Sequence, residues 1–158
     1  MLFGIIEFGL LIRDYVSLTA ATRAGARTAS ALPRVLGFTD SAAASVAKAG
    51  VAMPMSDIQE LWVYKANLQG YPGADGVTGF TSCGTDCVKY TWNGTSFTKA
   101  GGSWLASDHE MCKGVAKIPS VGVYLQARHT TLTGLFGTTW GMQDHAVLRF
   151  EPLAPGDC

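Results

Sequence analysis

The chain has 158 residues, enough for one domain with its own core and too few for two comfortable ones. Its 12 Lys and Arg balance 12 Asp and Glu, and no charge run concentrates either sign, which excludes the basic footprint of a nucleic-acid-binding protein. Charged residues reach only 15%, against the usual quarter, a composition suited to a surface packed against other proteins.

Residues 2–32 read as one long helix. Apolar Leu2, Ile5, Ile6, Leu10, Ile12, Tyr15, Val16 and Leu18 recur at helical spacing. The apolar run stops at Arg13-Asp14, short of the roughly 20 residues a bilayer span needs. The following AATRAGARTASA is small residues, with Arg23 and Arg27 four apart on one face and Ala20, Ala24, Gly25 and Ala31 elsewhere. Small residues let helices approach closely. Gly25 costs about 1 kcal/mol relative to Ala in a helix interior, so a packing role is expected for it. Pro33 ends the element. At roughly 45 Å the helix is expected to outreach a domain of this size. Glu7 has two readings: a polar edge, or a partly buried carboxylate needing a partner such as Arg13 or the N-terminal amine of a neighbouring copy.

A second helix is predicted over SAAASVAKA, capped by Thr39 or Asp40 and stopped by Gly50, its alanine face against the first helix or a sheet. From Asp57 the pattern turns to strands. DIQELWVYKANL is rich in aromatic and β-branched residues; QGYPGADGVTGFTSCGTD is a loop dense in turn pairs. CVKYTW and TSFTKAGG flank Asn93-Gly94, the signature of a tight hairpin turn with positive φ angles. VGVYLQARH puts Val121, Val123, Leu125 and Ala127 on one face; TTLTGLFGTTWG is a connection; QDHAVLRFEP puts Ala146, Leu148 and Phe150 on one face. Helices first and antiparallel strands after make an α+β fold: a long N-terminal helix (1–33), then a head (34–158) of a short helix on a small antiparallel sheet.

Cys83, Cys87, Cys112 and Cys158 lie in loop-like sequence, which favours disulfides and an oxidising compartment over a metal site. Of the three possible connectivities we take Cys87–Cys112 with Cys83–Cys158 as the expectation. Asp108-His109-Glu110 with Cys112 matches no metal-ligand spacing, and a polar loop is the plainer reading. His129 and His145 fall on strands that can neighbour each other, where surface or core roles outweigh a metal pair. No serine has a nucleophile-elbow context and no Gly-rich segment a phosphate-loop setting. No catalytic centre and no cofactor site is read.

The N-terminal stretch resembles the corresponding helix of TadE-like proteins of the tight-adherence (Tad) pilus systems. The residues that carry the likeness are Phe3-Gly4, Glu7-Phe8-Gly9 and Ala21-Thr22-Arg23-Ala24-Gly25-Ala26-Arg27. VGVYLQARHTTLTGLFG and DHAVLRFEP resemble the family's two C-terminal strands and their loop. The resemblance implies a pilin or pseudopilin whose helix is held in the inner membrane before assembly and in a filament core after it. It also implies a secretion and assembly machinery and a prepilin peptidase as partners. Family members carry further apolar residues and a processing glutamate upstream. Glu7 is therefore not equated with that glutamate, and the chain is expected to be a processed or trimmed form.

The resulting expectation is a structural subunit that polymerises with identical subunits in a helical filament, exposing its head. Leu2, Phe3, Ile5, Ile6, Glu7, Leu10, Leu11, Tyr15, Ala24 and Gly25 are the candidate assembly residues. Glu7, Arg13, Asp14, Arg23 and Arg27 are candidate charge partners between subunits. The alternatives are a minor pilin or pseudopilin, an anchored surface domain that binds a partner without polymerising, and an exported enzyme or metal protein using His109, His129 and His145.

Overall fold

A computed structural model describes residues 2–50, 52–108, 118–132, 134 and 137–153, with nothing stated of the Leu2 side chain. Two helices lie on one face of a five-stranded antiparallel sheet. Helix α1 is Leu2–Ser30 and α2 is Phe38–Ala49. The strands are β1 (Ile58–Ala66), β2 (Cys87–Trp92), β3 (Phe97–Ser103), β4 (Ser120–Thr130) and β5 (Thr139–Arg149), in spatial order β3-β2-β1-β4-β5. This is the α+β architecture expected from the sequence.

The first helix ends at Ser30, two residues before the predicted limit, where Pro33 disfavours helical geometry in its predecessor. The second begins earlier than expected. Gly37, at φ 76°, supplies its N-cap, and Thr39 and Asp40 fall inside the first turn without capping it. Their side chains have another use: Tyr90 Oη donates to Asp40 Oδ1 at 2.7 Å and lies 2.8 Å from Thr39 Oγ1, tying α2 to β2. Burial holds the Tyr90 phenol well above its ordinary pKa. Gly50 does stop the helix, its N–H donating to the Val46 carbonyl.

The pleat sorts the sheet residues into two sets. Leu61, Val63, Val88, Tyr90 and the predicted Val121, Val123, Leu125, Ala127 set face the helices, all essentially inaccessible. They form one core with Leu18, Ala21, Ala26 and Ala29 of α1 and with Ala42, Ala43 and Val46 of α2. The second half of α1 is therefore interior, where the sequence led us to expect it to outreach the domain. Its small residues allow this: a Cβ on Gly25 would sit 2.6 Å from Val46 Cγ2. The close approach at Gly25 is made to α2 of the same chain.

On the opposite face Trp62, Tyr64, Cys87 and Tyr124 form a second cluster under the loop that follows β1. Phe80 of that loop stacks on Tyr124, ring centroids 3.8 Å apart and planes 16° apart. The loop's end is tied to β2 by a Cys83–Cys87 disulfide. This overturns the expected Cys87–Cys112 and Cys83–Cys158 pairs. The three intervening residues turn back through Asp86, at φ 54°, and bring the two Cα atoms to 5.2 Å, within ordinary disulfide range. Cys112 and Cys158 lie outside the described residues, as do His109 and Glu110.

Two further strand expectations change. The β2–β3 connection is a four-residue loop, with Asn93 N–H donating to the Ser96 carbonyl and Asn93 Oδ1 accepting from the Thr95 and Ser96 amides. Gly94 has a positive φ and Asn93 does not, because its side chain organises the turn. Strand β5 starts at Thr139, so Thr139, Trp140 and Gly141 are paired strand residues opposite Thr130, His129 and Arg128, where a connection was expected. Along β5 Ala146 is partly buried and Leu148 is 37% exposed because β5 is a sheet edge, while Phe150, just past the strand, is buried.

Candidate functional site

The site is the N-terminal half of α1. From Phe3 to Ser17 its fully buried side chains are Glu7, Asp14 and Ser17, all polar. Residues seven apart share a helical face, and Glu7 and Asp14 both turn toward β4. The Leu132 N–H donates to Glu7 Oε1 at 2.8 Å. His129 Nδ1 lies 2.8 Å from Asp14 Oδ2, its N–H donating to the carboxylate, and both side chains are about 95% inaccessible. Arg13, half exposed, adds 2.8 Å and 3.0 Å contacts to Asp14 Oδ1. Two turns further, Thr22 Oγ1 donates to Asp144 Oδ2 at 3.1 Å. Asp57, before β1, sits near enough to feel this pair. Burial first and the Asp14 charge second raise its pKa, and His129 opposes them.

The outward face carries the apolar residues. Phe3 is 64% exposed, Ile5 72%, Ile12 61% and Val16 61%, with Ile6, Phe8 and Tyr15 near half. A water-soluble surface helix normally has the reverse arrangement. The face continues sideways into a shallow groove of about 450 Å³ lined by Leu11, Ile12, Tyr15, Trp140 and Met142. Phe8 meets Trp140 edge-on at 6.4 Å. Contiguous exposed apolar area of this kind marks an interaction surface.

Of the candidate assembly residues, Phe3, Ile5, Ile6 and Tyr15 point outward, Leu10, Leu11 and Ala24 are half-buried, and Glu7 and Gly25 point into the subunit. Of the candidate charge partners, Arg13, Arg23 and Arg27 are exposed, while Glu7 and Asp14 have partners on their own sheet. Ile12 and Val16, read in the apolar stripe, were not among the candidate assembly residues, and neither were Phe8 and Trp140. The spacing of Glu7 and Asp14, two carboxylates on one side of an otherwise apolar helix, is the signal that identifies its inward side. His129 and His145 do not converge. His129 faces α1, whereas His145 opposes Tyr124 on the other face, against Tyr71 and Phe80. Among the described residues no group of three or more His, Cys, Asp or Glu is placed to hold a metal ion. Among them, too, no helix is long and apolar enough to cross a membrane.

Helix, sheet and outward apolar face together define an α+β protein with an N-terminal helix that offers its hydrophobic side to something other than its own core. Residues 1–27, most of that helix, match the family model described as TadE-like protein. The resemblance read from Phe3-Gly4, Glu7-Phe8-Gly9 and the Ala21–Arg27 run thus holds for this segment; β4 and β5 lie beyond the match. No curated protein and no solved structure matches the chain.

Proposed function

We propose that the protein is a structural subunit of a Tad-type pilus or related filament at the cell surface. In this reading the outward face of α1 packs against the same face of identical subunits in a helical polymer. The sheet and its disulfide-tied loop form the exposed head. The observation that carries the reading is the inverted helix: Ile5, Ile12 and Val16 outward, Glu7 and Asp14 inward. Burying those large side chains between subunits is worth roughly 1.5–3 kcal/mol each, and among the described residues nothing supplies that burial. The match of residues 1–27 to TadE-like proteins supports it. Before assembly the same face would rest in or on the inner membrane, in the hands of a secretion and assembly machinery and a prepilin peptidase. The assembly element is then the first half of α1, with the second half belonging to the head. Arg23 and Arg27, exposed beyond the apolar face, are the charges left to meet a neighbouring subunit.

The test is an Ile5→Asp, Ile12→Asp double variant expressed with the export and assembly machinery and examined by negative-stain microscopy. Filaments should disappear, while the variant subunit keeps the wild-type unfolding free energy to within about 0.5 kcal/mol, because both positions are solvent-facing. Normal filaments from this variant would refute the reading. Wild-type protein found on cells only as separate subunits would favour an anchored, non-polymerising surface domain.

A further inference from the structure

The way the first half of α1 is held differs in kind from the way the second half is held. From Leu18 onward the inward face is mostly apolar, with Leu18, Ala21, Gly25, Ala26 and Ala29 continuous with the core and Thr22 and Ser30 the buried polar residues among them. Before it, the inward face is Glu7, Asp14 and Ser17 against His129, Thr131 and the Leu132 amide. The seam is also imperfectly closed. Ser17 Oγ and His129 Nε2 are buried with no hydrogen-bond partner among the described residues. A void of about 10 Å³, near the least that holds one water, opens between Glu7, Leu11, His129 and Trp140. Leu10 and Leu11 are the apolar residues that such a seam half-covers.

Lifting an element off an apolar core exposes hydrophobic surface to water; lifting it off a hydrophilic seam does not. Opening here would hydrate Glu7, Asp14, Ser17 and His129, giving water to the Ser17 and His129 atoms that lack a partner, and the apolar contacts parted would be those of Leu11 with the core and of Phe8 with Trp140. Nothing comparable holds for Leu18–Ser30, whose release would empty the centre of the domain.

We propose that residues 2–16 form a detachable arm, latched to the sheet by the Asp14–His129 contact, that opens while Leu18–Ser30 and the sheet stay folded. Among the described residues, Arg13 and Glu7 on the helix and Asp57 before β1 are the other charged groups around the latch. The arm is defined by how it is held, whatever its outward face later binds, so the inference does not depend on filament formation.

Native-state hydrogen exchange on the full chain tests it. In the wild type, amides of residues 6–16 should exchange at least roughly 100-fold faster than those of residues 20–29, as a separately opening unit does. His129→Leu takes away the buried partner of Asp14, leaving it only the half-exposed Arg13, and should speed the arm a further ~10-fold without touching β1, β2 or residues 20–29. The Asp14→Leu, His129→Leu pair replaces the latch by an apolar contact, with Glu7 and Ser17 unchanged, and should slow the arm below its wild-type rate. Equal protection of both halves in the wild type would overturn the proposal. So would a His129→Leu effect shared by the whole sheet, or a double variant that leaves the arm as loose as the single one. If His129→Leu does not fold, the wild type and the double variant still decide the matter.

Discussion

One substitution made at two glycines of α1 should have opposite signs. Replacing glycine by alanine in a helix interior gains up to about 1 kcal/mol, from propensity and from the smaller entropy of the unfolded chain. At Gly9 a new Cβ meets nothing within 4 Å, so this gain stands alone. At Gly25 the Cβ would lie 2.6 Å from Val46 Cγ2, 3.3 Å from Val123 Cγ1 and 3.4 Å from the Ala42 carbonyl oxygen. Val46 and Val123 are both fully buried, and a β-branched side chain has few rotamers to retreat into. The helices must separate. Overpacking of this kind costs about 1–3 kcal/mol, and the rigidity of all three neighbours puts Gly25 in the upper part of that range. Gly25→Ala should therefore be less stable than wild type by about 1–2 kcal/mol, and Gly9→Ala more stable by up to about 1 kcal/mol. Urea unfolding with unchanged m-values reads both differences directly. A Gly25→Ala variant as stable as wild type would show that α1 and α2 do not approach as described, and the account of the small-residue stripe would fail with it.

Two other perturbations probe the loop and the latch neighbourhood. The Cys83–Cys87 bond closes a very short loop, so Cys83→Ser should cost about 2 kcal/mol, and a peptide map of unreduced protein should recover residues 83 and 87 in one intact linkage; free thiols at both positions would contradict the structure. Asp57 has its pKa raised above 3.8, by burial first and the Asp14 charge second. A carboxyl raised on folding holds its proton more tightly in the native state, so its contribution is fully present below the unfolded pKa and is lost as pH rises through the folded one. Asp57→Asn should thus be more stable than wild type at neutral pH, with the difference vanishing below about pH 3.5; thermal unfolding across pH 3–8 measures this, and a difference that grows toward low pH would refute it.

The elements with regular alternation were legible in advance. Val121, Val123, Leu125 and Ala127 needed only the two-residue period of a strand to be placed together, and all four are buried. What alternation could not reveal was which loop covers the other face. Trp62, Tyr64 and Tyr124 are large residues on the side opposite the helices, and their partner Phe80 sits in a segment whose glycines signal only a turn. The disulfide was misassigned for a related reason: preference for long-range pairing overlooked that a left-handed residue, Asp86, lets CGTDC close on itself. Caps were misjudged where a tertiary bond competed. Thr39 and Asp40 have the right chemistry to cap α2, but Tyr90 claims both.

The helix carries the deeper ambiguity. Periodicity identifies a stripe of apolar residues and a stripe of polar ones, yet it assigns neither to the inside; that step assumes the core takes the apolar side. In α1 the assumption holds after Leu18 and fails before it. The chain beneath the first half presents His129 and the Leu132 amide, which hold the two carboxylates and would be left unsatisfied under isoleucine. Glu7 and Asp14 answer that surface, and turning them inward forces Ile5, Ile12 and Val16 out. An isolated domain has no physical reason to keep such an arrangement, since swapping the two stripes would bury more apolar area. On the proposed function it has one: the exposed stripe would be the surface that meets a hydrophobic neighbour, and the polar seam holds the helix on its own sheet without competing for that surface.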